Sequence, residues 1–181
     1  NTVNYQTTFT EGGSAVTIGD TDVTLTDADS TSFASVTLSI SNLSDGASET
    51  LILDGETYAL NANSAAANTS GGAYQVTVSD NGATLVIKAA DGGTLTKAEV
   101  ETLLETNLTY ENTSDNPTTG DRTVAVVVND GSSDSNTATA TITVAADNDA
   151  PALDLDESNN NDSGNTVNYQ TTFTEGGSAV T

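Results

Sequence analysis

Apolar residues in this chain recur mostly at every second position and are rich in β-branched types. That is the period of half-buried strands, not of helices. Ser35–Ser41 (SVTLSIS), Tyr74–Ser79 (YQVTVS), Thr84–Ala89 (TLVIKA) and Thr123–Asn129 (TVAVVVN) carry the alternation. The same reading predicts strands over Val3–Thr10, Ala15–Ile18, Asp22–Thr26, Glu49–Leu53, Thr57–Leu60, Leu108–Glu111 and Thr137–Ala145. Turn pairs separate them: Asp45-Gly46, Asp54-Gly55, Asn81-Gly82, Asp91-Gly92 and Asp130-Gly131. Asn61–Gly72 (NANSAAANTSGG) has no clear period and reads as a mobile loop. One segment changes period. Thr96-Lys97-Ala98-Glu99 is a capping box, and Val100, Leu103 and Leu104 follow at helical spacing. A helix is therefore predicted from about 97 to 106, covering an end or edge of the sheets. Short antiparallel strands, tight turns and one helix predict an all-β fold, a Greek-key β-sandwich.

Above this pattern lies a longer one. Asn1–Thr17 reads NTVNYQTTFTEGGSAVT and recurs letter for letter as Asn165–Thr181, an offset of 164 residues. The plain reading is a piece of a tandem array with that period. One period is long enough for a single domain with its own core. Residues 1–146 are then one sandwich repeat, 147–164 an acidic inter-repeat linker, and 165–181 the first strand of the next, truncated repeat. Identical copies in a row suit a spacer better than an enzyme.

Composition narrows the chemistry. The chain has no Cys, His, Met or Trp. Thiol catalysis, a Ser-His-Asp triad and zinc held by Cys or His are excluded. Few aromatics are present to build a sugar platform for a pair of catalytic carboxylates, so no enzyme is expected. Asp and Glu number 26 against three Lys and Arg, for a net charge of -23. Nucleic acid and anionic membrane surfaces would be repelled, and no apolar run is long enough to insert in a membrane.

What remains is oxygen chemistry. Calcium takes six to eight oxygen ligands, which carboxylates on alternate loop residues can supply. Four Asp-x-Asp runs fit: Asp20/Asp22, Asp27/Asp29, Asp147/Asp149 and Asp154/Asp156. Asp154–Asp162 lacks the glycine and the final glutamate of an EF-hand, leaving a looser calcium loop or a solvated hinge. Thr137, Thr139, Thr141 and Thr143 form a threonine row, read as the exposed face of an edge strand.

Four pieces occur in a telling order: Phe9-Thr10-Glu11-Gly12-Gly13; Thr26-Asp27-Ala28-Asp29-Ser30 with Val36–Ile40; Val128-Asn129-Asp130-Gly131; and Asp147-Asn148-Asp149-Ala150-Pro151. In this order, over a whole period, they resemble the cadherin-like (Ig-like) repeats of very large bacterial surface adhesins, including those exported with calcium-binding RTX tails. The segment Leu108–Asp130 is also similar to long repeats of these adhesins. The chain departs from the family at Ala146, where the linker usually opens with Asp, and its unit is longer than a typical cadherin repeat.

The resemblance implies Ca2+ at the poles where units meet. Glu11, Asp27, Asp29 and Asp130 would gather at the N-terminal pole. Asp147, Asn148 and Asp149 would sit in the linker, and Glu175 would repeat the role of Glu11. Asp20, Asp22, Asp154, Asp156 and Asp162 are weaker candidates. The implied function is a calcium-stabilised extender of an extracellular adhesin, stiffening a stalk for cell adhesion or biofilm formation. The alternative is a calcium-dependent carbohydrate-binding or homophilic adhesion module. The implied partners are adjacent identical repeats. The duplicated segment 165–181 adds possible head-to-tail or strand-swapped contacts.

Overall fold

A computed structural model describes residues 4–155 and 171–179. The chain divides into two units, Asn1–Asp147 and Asn148–Thr181. In the first, the strands are β1 (Asn4–Thr10), β2 (Val16–Thr17), β3 (Ser32–Phe33), β4 (Ser35–Ser41), β5 (Glu49–Leu53), β6 (Glu56–Ala59), β7 (Ser64–Asn68), β8 (Tyr74–Ser79), β9 (Thr84–Ala89) and β10 (Leu95–Thr96). After β10 come the helix α1 (Lys97–Thr102), a π turn over Leu103–Asn107, and the strands β11 (Leu108–Asn112), β12 (Gly120–Asn129) and β13 (Ala138–Ala145). Seven strands form one sheet in the order β1-β13-β12-β4-β9-β8-β7, and four form a second in the order β2-β11-β5-β6. The short pair β10-β3 stands apart. Successive connections cross between the two large sheets: β1 to β2, β4 to β5, β6 to β7 and β11 to β12. This is the all-β sandwich with one short helix that the alternation predicts.

The period of two decides which side chains meet. Val36, Leu38 and Ile40 of β4 lie beside Val128, Val126 and Val124 of β12, all buried. From the opposite sheet, Leu51 and Leu53 of β5 and Leu108 and Tyr110 of β11 join the same core. Phe9 on β1 closes one margin, its ring edge-on to Tyr110 at a centroid distance of 5.8 Å. The helix begins on its capping box: Thr96 accepts from the Glu99 amide, and the Glu99 carboxylate accepts from the Thr96 amide at 2.7 Å. The helix delivers Val100 to the core, and the π turn that follows delivers Leu103.

Four sequence expectations are corrected. Asp22–Thr26 is not a strand. The Leu25 amide donates to the Glu101 carboxylate at 2.9 Å rather than to a ladder. Within the supposed loop Asn61–Gly72 lies β7, an exposed edge strand paired to β8. It buries neither face, so it needs no apolar alternation. The threonine row is not on an edge strand. Ala140 and Ile142 do point inward, but β13 is flanked by β12 and by β1, which runs parallel to it from Asn4↔Thr139 to Thr10↔Ala145. The α-helix stops at Thr102, and the π turn carries the chain on to β11.

Two inward positions are charged. Glu49 precedes Leu51 and Leu53 on the buried face of β5, and Arg122 precedes Val124 on that of β12. They meet across the sandwich, Arg122 Nε donating to Glu49 Oε1 at 2.5 Å, with side-chain exposures of 2% and 0%. The Tyr110 hydroxyl donates to the same oxygen at 2.7 Å. Glu49 Oε2 accepts the amides of Ser44 (2.6 Å) and Asp45 (2.8 Å). Arg122 Nη2 reaches Asp45 Oδ2 at 3.1 Å, and Asp45 also accepts from Asn112 (2.7 Å) and the Thr118 amide (3.0 Å). Each carboxylate oxygen of Glu49 and Asp45 finds a donor, which is the condition for tolerating buried charge.

Burial raises the Tyr110 hydroxyl above its ordinary range, and the hydrogen bond to Glu49 raises it further. Burial would also raise Asp45, but its bonds from Thr118 and Asn112 and the Arg122 charge outweigh it and hold the carboxyl low. A depressed carboxyl stabilises the fold above the ordinary carboxylate range, about pH 4, and loses that contribution as pH falls through its lowered value. Arg122→Met leaves Glu49 charged and unpaired in the core, so urea unfolding at pH 7 should show a loss of about 3–5 kcal/mol. A change below about 1 kcal/mol would contradict this account.

Candidate functional site

The acidic loops gather at the two ends of the sandwich. At one end β12 finishes in a hairpin. Asn129 bridges to Asp134, and the Asn129 side chain accepts the Gly131 amide at 2.7 Å. Asp130 Oδ1 accepts the amides of Ser132 and Ser133, both at 2.7 Å. Beside it the Asp27 loop closes in the same manner, Oδ1 accepting from Asp29 (3.0 Å) and Ser30 (2.9 Å). Asp turns of this kind are local chemistry, with the side chain mimicking a backbone acceptor. Ser30 then joins the loops, its hydroxyl donating to Asp130 Oδ2 at 3.4 Å. Asp27 and Asp130 share a hollow with Leu25, Phe33, Ser133 and Asp134.

The three aspartates feel one another. Asp29 is raised, first by the hydrogen bond its side chain shares with Asp27 and then by the charges of Asp27 and Asp130. Asp27 is lowered by the amides of Asp29 and Ser30, and Asp130 by those of Ser133 and Ser132. The chain's few cations are placed elsewhere: Arg122 is bound to Glu49 and Asp45, Lys97 pairs with Glu101 at 3.4 Å, and Lys88 lies on β9.

Glu11 is not part of this group. It follows Thr10, which pairs with Ala145, and the Glu11 amide donates to the Ala145 carbonyl at 2.9 Å. Here β12 is only beginning, since Gly120 pairs with Val144. The length of β12, roughly 30 Å at 3.3 Å per residue, separates Glu11 from Asp130. The expected gathering of Glu11 with Asp27, Asp29 and Asp130 is thereby corrected. The parallel pairing of β1 with β13 puts the end of β1 beside the chain's exit, where Glu11 Oε2 accepts the Asp147 amide at 2.9 Å. The other oxygen, Oε1, is shielded from solvent and has no hydrogen-bond partner.

The remaining candidates are scattered. Asp20 accepts the amide of its neighbour Thr21 at 2.7 Å, and Asp20 and Asp22 are both exposed. In the second unit Asn148 Nδ2 donates to the Asp149 carbonyl at 3.1 Å, and Asp149 and Asp154 are exposed. Glu175 lies exposed in a turn. Asp156 and Asp162 fall outside the described residues. Among the described residues no three acidic side chains converge as a metal-holding group, and no helix is long and apolar enough to cross a membrane.

Sequence reasoning missed Glu49, Arg122, Asp45 and the bridging Ser30. The first two were legible in principle, as charges on apolar-face positions of β5 and β12. The bridging by Ser30 depends on long-range packing. The side chains at both ends are carboxylates and hydroxyls, the donors a hard cation takes.

Comparison with protein-family models, curated proteins and solved structures finds no match. The chemistry of the two ends therefore rests on their own residues.

The signs of the shifts give a test. A raised carboxyl such as Asp29 opposes folding once ionised, whereas the lowered Asp27 and Asp130 favour it above about pH 4 and lose that effect as pH falls through their depressed values. In metal-free, low-salt buffer at pH 7, Asp29→Asn should raise Tm, and Asp27→Asn or Asp130→Asn should lower it. Salt should shrink the Asp29→Asn gain by screening. Calorimetry showing all three variants moving the same way would refute the assignment.

Proposed function

We propose that this chain is a calcium-stabilised extender repeat of a giant bacterial surface adhesin, working outside the cell to hold a distal binding domain away from its surface. The observation that carries this reading is the recurrence of Asn1–Thr17 at Asn165–Thr181. A head-to-tail string of sandwiches is its simplest source. The chain path supports the same reading. It enters β1 at Asn4, beside Thr139 and level with Ala125 midway along β12, runs away from the Asp27, Asp29 and Asp130 end, and leaves β13 beside Glu11 and Asp147. In a string, the Glu11 end of each unit is followed by the Asp27 end of the next.

The residues fit a hard divalent cation shared across such a junction. At one end Asp29 is pushed up by the hydrogen bond its side chain shares with Asp27 and by neighbouring negative charge, and at the other a Glu11 oxygen is shielded without a donor. Neither end has three converging acids among the described residues, so each calls for donors from elsewhere. Glu11 and Asp147, with Asn148 and Asp149 in the linker, would supply oxygens from one unit. The counterparts of Asp27, Asp29 and Asp130 would supply them from the next. The ion would offset like-charge repulsion, which costs about 4 kcal/mol for a pair at 4 Å and an effective dielectric near 20. Restricting the linker would then stiffen the string.

Calcium that binds only the folded form raises stability by mass action, about 2.7 kcal/mol at a hundredfold excess over Kd. Millimolar calcium should therefore raise the Tm of two or more linked units by several degrees, and EDTA should reverse the rise. Small-angle scattering of the linked units should show a longer maximum dimension with calcium than with EDTA. Equal Tm and equal dimensions in both buffers would eliminate the calcium clamp.

A further inference from the structure

The place beside β13 has two identical claimants in one chain. Among the described residues β1 is the edge strand of its sheet, and its one ladder partner there is β13. It can leave without breaking any other ladder. Its anchor is Phe9, 1% exposed against the core. Residues 165–181 carry the same side chains in the same order, so whatever Asn4–Thr10 offers β13 is offered again by 168–174. The described part of the second copy has already formed the turn that follows β1. Gly13 N donates to the Thr10 carbonyl at 2.8 Å, and Gly177 N to the Thr174 carbonyl at 2.9 Å. Gly12 and Gly176 take positive φ of 66° and 80°. Phe173, the counterpart of Phe9, is 62% exposed.

We infer that residues 165–181 are a second occupant for the β1 position of the same chain. Reach permits it. The stretch from 146 to 167 extends to roughly 70 Å, against about 26 Å for the length of β13. Because the strand contacts are identical, connectivity sets the balance. Thr17 runs directly into the buried Ile18, whereas the second copy must close a long loop, at an entropic cost. The first copy therefore holds the place while it is intact, and the second takes it when the first is damaged. The inference does not depend on calcium.

The test uses the full chain. Phe173→Asp alone should change the unfolding constant by less than about twofold, as for a surface substitution. Phe9→Asp should leave a folded monomer. Adding Phe173→Asp to Phe9→Asp should then raise the unfolding constant at least tenfold, beyond additivity. The chain has no cysteine, so a crosslink can report the occupant. Thr8 pairs with Thr143, and its counterpart is Thr172. In the Phe9→Asp background, Thr143→Cys with Thr172→Cys should form a disulfide within one chain, seen as a monomer by mass spectrometry. Three results overturn the inference: Phe9→Asp as unstable as the double variant, a folded Phe9→Asp species found only as oligomers, or a crosslink formed only between chains.

Discussion

The contact between Arg122 and Glu49 ties the two sheets together at one end of the sandwich. A chain with 26 acidic and three basic residues places one of its few cations in the core, where it meets a carboxylate from the opposite sheet. Buried ion pairs contribute little net stability against apolar replacements, but they are intolerant of partial loss. This pair is held by donors from the backbone of Ser44 and Asp45 and by the Tyr110 hydroxyl. The β4–β5 connection, β11 and the start of β12 are thereby placed relative to one another. Tyr110 in turn supports Phe9, so the same network reaches the edge strand that the chain carries twice.

Placing that arginine inside leaves the acidic ends to balance their own charge. At the Asp27 end the backbone does part of the work, with four amides aimed at Asp27 and Asp130. Asp29 is left as the group whose ionisation its neighbours oppose. At the Glu11 end one amide is aimed at the carboxylate and its second oxygen has no partner. The ends are half-satisfied in different ways, and in a string of units they would follow one another at each junction.

The parallel pairing of β1 with β13 sets this polarity. Had β1 run antiparallel to β13, Glu11 would lie toward the Asp130 side of the sheet instead of beside the chain's exit. Because it runs parallel, the chain heads away from the Asp130 end along both β1 and β13 and leaves beside Glu11, the direction a head-to-tail string would need. The duplicated segment shows how much of an element is local. Its Thr-Glu-Gly-Gly turn forms in both places, because positive φ at the glycine and a short backbone bond suffice. Thr171–Thr174 forms no strand, because a strand needs a neighbour to pair with.

By itself the sequence determined what depends on neighbours along the chain. It specified the alternation that makes β4, β5, β8 and β9, the capping box that starts α1, and the Asp turns that order the Asp27 and Asp130 loops. It also determined the repeat and the chemistry that a chain without Cys or His cannot perform. Only the tertiary structure decided which inward charges meet, that β13 lies inside the sheet, that an exposed segment with no apolar period is a strand, and that Glu11 stands far from Asp130. Those outcomes rest on strand order and direction, which are chosen by pairing across long stretches of chain and leave no trace in any local window.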